Sequence, residues 1–317
     1  MVCYLSMNNS NGLLDELARL LADNSIGLDL LAARPRGNRL SLEIRESIEA
    51  LLDGLDEKDS HSGSSRSDQD RTSTLIYGNS CFAVRRYETA GETYRKLLDG
   101  DPSDTTAAFN LGLSYLRSRR LDDALDVFTD LIQTDPAMAE ACYQRGNVYD
   151  DLDNGDRALT DYSRAIELKP DYLQAYYNRG VVLARLGRHE EAIAEFDEAI
   201  ALQPNLSNAH LNLGASLDEL AQHEEAIAAY SEAIRCNPDN ANAYFNRART
   251  HYLLGDVQET IYDYTAAINL APDDAEAFNN RGLAYDAAGE YEKAVDDYAH
   301  AMALRPDFAE AISNRGA

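Results

Sequence analysis

A side-chain amide recurs at one spacing along this chain. Asn110, Gln144, Asn178, Asn212, Asn246 and Asn280 stand 34 residues apart, and Asn314 continues the row. An amide donates and accepts hydrogen bonds at once, so it can meet the N–H and C=O of one peptide residue whatever side chain that residue carries. Immediately before four of them come Phe109, Tyr143, Tyr177 and Phe245, aromatic surfaces able to hold apolar side chains of a bound segment. These residues form the candidate peptide-binding set. Their chemistry is recognition, not bond-making. The sequence holds no phosphate loop, nucleophile elbow or dinucleotide fingerprint. Cys3, Cys81, Cys142 and Cys236 form no CxxC pair and the histidines do not cluster. Neither a metal site, a cofactor nor a disulfide framework is therefore expected. The acidic pairs Asp122-Asp123 and Asp296-Asp297 read as solvated or structural helix positions, and no enzyme activity is expected.

The elements that must position the amides keep the same beat. Prolines stand at 102, 136, 170, 204, 238, 272 and 306, seven of the eight in the chain. Glycine follows at 78, 112, 146, 180, 214, 282 and 316, with Ala248 in the one gap. A small residue recurs as Ala90, Ala124, Ala158, Ala192, Ala226 and Ala294, with Thr260 as the exception, and an aromatic comes four residues later: Tyr94, Phe128, Tyr162, Phe196, Tyr230, Tyr264 and Tyr298. Internal repetition at such a period marks a solenoid.

Each unit reads as two helices. In 173–206 the first runs from about Leu173 to Leu186, with Tyr176, Gly180 and Leu183 on one face at helical spacing. Gly187 breaks it. The second runs from about His189 to Leu202, with Ala192, Phe196 and Ala199 on one stripe, and Gln203-Pro204 ends it, since proline disfavours helix at itself and at the residue before. Glycine and alanine fall where the paired helices cross, and the aromatic fills the space beside them.

With its small residues at the eighth and twentieth places, aromatic at the twenty-fourth and proline at the thirty-second, the unit resembles the tetratricopeptide repeat (TPR). Counted from the proline, the units are 71–104, 105–138, 139–172, 173–206, 207–240, 241–274 and 275–308, about three quarters of the chain. The first departs from the pattern at Thr74 and Cys81, and the sixth at Ala248 and Thr260, where looser helix packing is expected. The resemblance implies an all-α, right-handed superhelical solenoid of antiparallel helix pairs. It also implies a protein-interaction scaffold that binds an extended peptide or partner helix in a concave groove.

The amides occupy the sixth place, two residues or about 200° of helix rotation from the packed fourth and eighth places. They therefore face away from the core of their own helix pair. In the family this face lines the groove, and the row is similar to the asparagine ladder of the O-linked N-acetylglucosamine transferase. Packed helices lie about 10 Å apart and an extended peptide advances about 3.3 Å per residue, so one amide per unit could grip roughly every third peptide residue. Two other readings stand beside this one: the amides bond within the solenoid, and the fifth-place aromatics pack against the adjacent unit. Further charged or polar groups fall at the ninth, twelfth and thirteenth places: Asn147, Asp150, Asp151, Arg185, Asp218, Glu219, Arg249 and Asp286. Acids outnumber bases there, which leans toward a basic or neutral ligand. The basic clamp of the family's chaperone-tail receptors is missing, since the second place holds Thr106, Glu140, Gln174, Asn208, Asn242 and Glu276 and the fifth holds no Lys or Arg.

Comparing the repeats with one another exposes a pairing. The seventh place reads Leu111, Arg145, Arg179, Leu213, Arg247 and Arg281, and the twenty-third reads Val127, Asp161, Glu195, Ala229, Asp263 and Asp297. Every arginine has an acid and every leucine an apolar partner. This predicts four ion pairs inside the units, Arg145–Asp161, Arg179–Glu195, Arg247–Asp263 and Arg281–Asp297; acids of the next unit are the alternative partners.

The formal net charge is -26, which argues against nucleic acid and against anionic membrane surfaces. No apolar run approaches membrane-spanning length. The opening MVCYLSMNNSNG has no basic leader before an apolar stretch, so no signal peptide is expected and the cytoplasm is the expected compartment. Residues 1–57 read as an N-terminal helical segment. Leu13, Leu14, Leu17, Leu20 and Leu21 suggest one amphipathic helix, and Ile44, Ile48, Leu51, Leu52 and Leu55 another. Docking or self-association through 1–57 and capping of the solenoid are the two readings. Residues 58–70 read as a flexible linker. Residues 309–317 open an eighth unit and stop, which suggests a fragment of a longer protein or, alternatively, a short cap. The rival function follows from that: the substrate-recognition arm of a larger enzyme, such as a glycosyltransferase like the one with the asparagine ladder, whose catalytic domain lies outside this chain.

Overall fold

The structure is a computed structural model that describes residues 69–316. The N-terminal segment 1–57, its proposed self-association and nearly all of the linker lie outside the described residues. Among the described residues there are fifteen helices and no strand. They divide into two compact units, one ending at Leu168 and the other beginning at Lys169. The first holds α1 (Gln69–Ala83), α2 (Tyr87–Gly100), α3 (Thr105–Arg117), α4 (Leu121–Thr134), α5 (Ala139–Asp151) and α6 (Gly155–Leu168). The second holds α7 (Leu173–Arg185), α8 (His189–Leu202), α9 (Ser207–Glu219), α10 (His223–Cys236), α11 (Ala241–Leu254), α12 (Val257–Leu270), α13 (Ala275–Ala287), α14 (Tyr291–Leu304) and α15 (Ala309–Gly316). Gln69 and Asp70, which the sequence places in the linker, are the first residues of α1. Within each unit successive helices pack as hairpins, and the first helices of neighbouring hairpins also touch: α3 with α5 in the first unit, and in the second α7 with α9, α9 with α11, α11 with α13 and α13 with α15.

The turn inside every hairpin has one geometry. The fifteenth place of each repeat has a positive φ: Arg85, Arg119, Asp153, Gly187, Ala221, Gly255 and Gly289. The next residue's N–H then bonds back to the carbonyl five residues earlier, as in Arg120 to Tyr115 at 2.9 Å and Gln222 to Leu217 at 2.9 Å. This left-handed closure of a helix C-terminus satisfies carbonyls that the helix itself leaves open. Between hairpins the residue before each proline turns extended, as Gln203 does with φ -140 and ψ 92, in keeping with the proline's steric demand.

The hairpins close on a glycine against a ring. A Cβ added to Gly214 would stand 2.6 Å from Tyr230, and one added to Gly180 would stand 2.8 Å from Phe196. At the sixth repeat Ala248 and Thr260 are fully buried and Tyr264 is buried with them, so the expected loosening is not seen. The change shows instead in where the Tyr264 hydroxyl goes, as described below.

All four predicted ion pairs form within their own repeats. Arg145 holds Asp161 with a two-pronged contact at 2.7 and 2.8 Å, Arg247 holds Asp263 at 2.7 and 2.8 Å, and Arg281 holds Asp297 at 2.7 Å on both prongs. Arg179 meets the longer Glu195 end-on, with one nitrogen 2.7 Å from each oxygen. The hydrogen bonds from Asp161, Asp263 and Asp297 push their guanidinium groups further into the charged range. At Glu195 burial outweighs the pull of Arg179 and raises the carboxyl. Arg247 also donates to Ser231 on α10 at 2.8 Å, and Arg281 to Thr265 on α12 at 3.1 Å. Each of these arginines therefore ties its hairpin to the one before.

Candidate peptide-binding face

The sixth-place residues lie on the first helix of each hairpin, but most are already engaged inside the protein. In the first unit Asn110 and Gln144 are each only 2% exposed. Asn110 donates to Asn79 at 3.1 Å, and Gln144 accepts from Asn147 at 2.9 Å. Both present no amide to a ligand, which corrects their place in the candidate set. In the second unit Asn178, Asn212, Asn246 and Asn280 are all half-buried. Asn212 donates to the Tyr177 hydroxyl at 3.0 Å on the preceding hairpin. Asn280 accepts from Asn279 at 3.2 Å and bonds the Tyr264 hydroxyl. Asn314 donates to Asn279 at 3.0 Å. Bonding within the solenoid, the alternative reading of the amide row, is thus its main local use, and it links one hairpin to the next.

The fifth-place aromatics are half-buried and each meets a ring of its own repeat, while Tyr177 also takes the hydrogen bond from Asn212 on the next hairpin. Phe109 meets Phe128 with ring centres 5.8 Å apart, Tyr143 meets Tyr162 at 5.8 Å, Tyr177 meets Phe196 at 6.1 Å, and Phe245 meets Tyr264 at 5.4 Å. Each ring spends one surface on the twenty-fourth-place ring that fills the hairpin.

A second row escaped the sequence reading. The twenty-fourth-place tyrosines are buried, and their hydroxyls reach across to the first helix. Tyr94 donates to Asn79 at 2.7 Å, Tyr162 to Asn147 at 2.8 Å, Tyr230 to Asp218 at 2.9 Å and Tyr298 to Asp286 at 2.6 Å. Burial first, and the facing carboxylate second, raise the Tyr230 and Tyr298 hydroxyls above the usual phenol range. Tyr264 has Arg249 and Tyr252 at the two partner places and turns to Asn280 instead; burial pushes it up to about 12. The signal was present in the repeats. Where the ring is a tyrosine with a partner in its own repeat, the ninth place is Asn or the twelfth is Asp; where it is Phe128 or Phe196, those places are Leu113 and Leu116, or Val181 and Ala184. Asp218 also accepts from Thr250 at 2.6 Å and lies 3.0 Å from the His223 ring nitrogen. Asn147, Asp218 and Asp286 therefore serve the fold, and the lean toward a basic ligand loses two of its acids.

Among the described residues no group of His, Cys, Asp and Glu is placed to hold a metal, and no helix is long and apolar enough to cross a membrane. What the first helices can offer a partner in the second unit is a set of half-exposed amides and aromatic edges, together with the ninth-, twelfth- and thirteenth-place side chains at their C-terminal ends.

Comparison with known proteins agrees with this architecture. The tetratricopeptide repeat matches over residues 78–139 and 143–207, the TPR repeat over 219–255 and 249–289, and a further tetratricopeptide repeat over 275–308. No curated protein matches the chain. Among solved structures, the crystal structure of YrrB, a TPR protein with an unusual peptide-binding site, is 25% identical with a TM-score of 0.53 and covers 60% of this chain and 98% of its own. PilW, a widely conserved type IV pilus biogenesis factor, is 24% identical at a TM-score of 0.58, over 67% of this chain and 98% of its own. A tetratricopeptide repeat protein from Parabacteroides merdae is 19% identical at 0.57, over 78% of this chain and 98% of its own. The last two show a shared fold alone. With its 34-residue beat, its glycine-on-ring hairpins and these matches along most of its length, the chain belongs to the tetratricopeptide repeat family.

Proposed function

We propose that this chain is a non-catalytic scaffold that holds an extended peptide segment along the first-helix face of its second unit. The observation that carries the reading is the row Asn178, Asn212, Asn246 and Asn280, which recurs on consecutive first helices and stays half-exposed. Helices about 10 Å apart offer an amide at about every third residue of an extended chain. The peptide-binding site of YrrB lends further support, as does the scaffold role common to the family. Its place is in the cytoplasm, a reading supported by Cys81, Cys142 and Cys236 remaining thiols among the described residues, in keeping with a reducing compartment.

The test is fluorescence anisotropy with a labelled degenerate pool of short peptides. The wild-type chain binds the pool in saturable fashion. The triple variant Asn178→Ala, Asn212→Ala and Asn246→Ala loses at least about tenfold in affinity, which is 1.4 kcal/mol, with its helical circular dichroism unchanged. Equal binding by a folded triple variant would remove the amides from recognition.

A further inference from the structure

The first helix α11 shows a partner something its neighbours do not. At the ninth, twelfth and thirteenth places it carries Arg249, Tyr252 and Leu253, where α7 has Val181, Ala184 and Arg185, α9 has Ala215, Asp218 and Glu219, and α13 has Leu283, Asp286 and Ala287. Tyr252 is 40% exposed and Leu253 61% exposed, and the Arg249 side chain is 47% exposed. Arg249 stands one turn beyond Asn246, so amide and guanidinium share a face of the helix. Among the described residues the Asn246 side-chain amide meets no hydrogen-bond partner; only its backbone carbonyl is used, by Thr250.

The charge around this helix end is settled by the hydroxyl row. The Asp218 carboxylate is 4% exposed and already meets Tyr230, Thr250 and His223. Its distance to the Arg249 guanidinium is 3.8 Å, too long for a hydrogen bond. Asp286 is taken by Tyr298. The other exposed charges at these places, Arg185 and Glu219, are opposite in sign. Arg249 keeps only this long ion-pair contact with the buried Asp218 and holds a half-exposed guanidinium beside an open amide and two exposed apolar side chains.

We infer that α11 recognises an acidic residue next to an apolar one within the bound segment. The carboxylate sits on Arg249, whose planar fork suits it. The apolar side chain lies against Tyr252 and Leu253, and the backbone meets Asn246. A peptide crossing helices about 10 Å apart shows each of them about three residues, enough for this pair. The inference rests on the peptide-holding reading and adds the ligand's chemistry to it. The overall charge of -26 repels every acidic peptide alike, so the local preference must be read against a neutral isostere.

Three labelled probes test it by anisotropy: repeats of Ser-Asp-Leu, of Ser-Asn-Leu, and of Ser-Asn-Ser. Wild type is expected to bind the Asp-Leu probe about tenfold more tightly than the Asn-Leu probe, and the Asn-Leu probe more tightly than Asn-Ser. Arg249→Gln, an exposed change that leaves the fold intact by circular dichroism, abolishes the Asp-over-Asn preference, read as the ratio of the two affinities on the same variant. Leu253→Ser removes the Leu-over-Ser preference. Equal binding of the Asp and Asn probes by wild type would overturn the charge inference while leaving peptide-holding intact. A preference that survives Arg249→Gln would overturn the assignment to α11. Binding of none of the probes would overturn the peptide-holding reading, and this inference with it.

Discussion

An arginine facing the inside of a helix hairpin needs a carboxylate at hand, and four repeats supply one sixteen residues later. The two repeats with leucine at that place, Leu111 and Leu213, supply Val127 and Ala229 instead. The molecule thus contains both solutions to the same packing problem. Removing one partner of a largely buried pair strands the other charge, whereas replacing both with apolar groups is close to neutral. Asp263→Ala alone is therefore expected to destabilise the chain by about 3 kcal/mol, and Arg247→Leu with Asp263→Ala to restore most of that, as measured by urea denaturation. A double variant no more stable than Asp263→Ala would show that the pair's value lies elsewhere. This ladder was legible in the sequence because repeats can be compared with one another. Its third member was not read, although Ser231 and Thr265 sit one full repeat apart. The tyrosine hydroxyl row was missed for a related reason. Asp218 and Asp286 look like ligand-facing acids until the ring that bonds them is known to lie across the hairpin.

At the scale of the elements, proline and glycine spacing fixed most boundaries. The sequence places the second helix of 173–206 at His189–Leu202, as the structure does. Helix starts without a periodic marker were harder, and Gln69-Asp70 looked like linker because both are polar. The hairpin turns hid their geometry in the four cases where a residue other than glycine takes the left-handed position: Arg85, Arg119, Asp153 and Ala221. An L-residue there strains its Cβ against the backbone by roughly 1–2 kcal/mol. Glycine relieves this and loses somewhat more chain entropy on folding. Ala221→Gly, matching Gly187 and Gly255 in neighbouring turns, is expected to stabilise by about 0.5 kcal/mol. The same change at Ala226, a helical residue packed at 0% exposure, is expected to destabilise by at least about 1 kcal/mol. Thermal denaturation of the two variants compares them directly, and a loss at both positions would contradict the turn geometry.

At the scale of the molecule, each hairpin is too small to bury a core alone and borrows its neighbours' faces. The first helices meet one another along each unit, and what they leave open becomes the surface available to a partner. The beat of the amides picks out the first helices as the candidate surface. It could not say which amides are buried, because burial of Asn110 and Gln144 depends on the residues stacked around them. Periodicity shows which residues are equivalent from repeat to repeat, and packing decides which of them stay exposed. The central claim is that the partner lies on the first helices and not on the second. A photo-crosslinking residue placed at exposed Glu219 on α9 tests this against one at Glu232 on α10, whose side chain is 47% exposed. With the Ser-Asn-Leu probe bound, crosslinking from position 219 and none from position 232 is the predicted result. Crosslinking from 232 with none from 219 would contradict it.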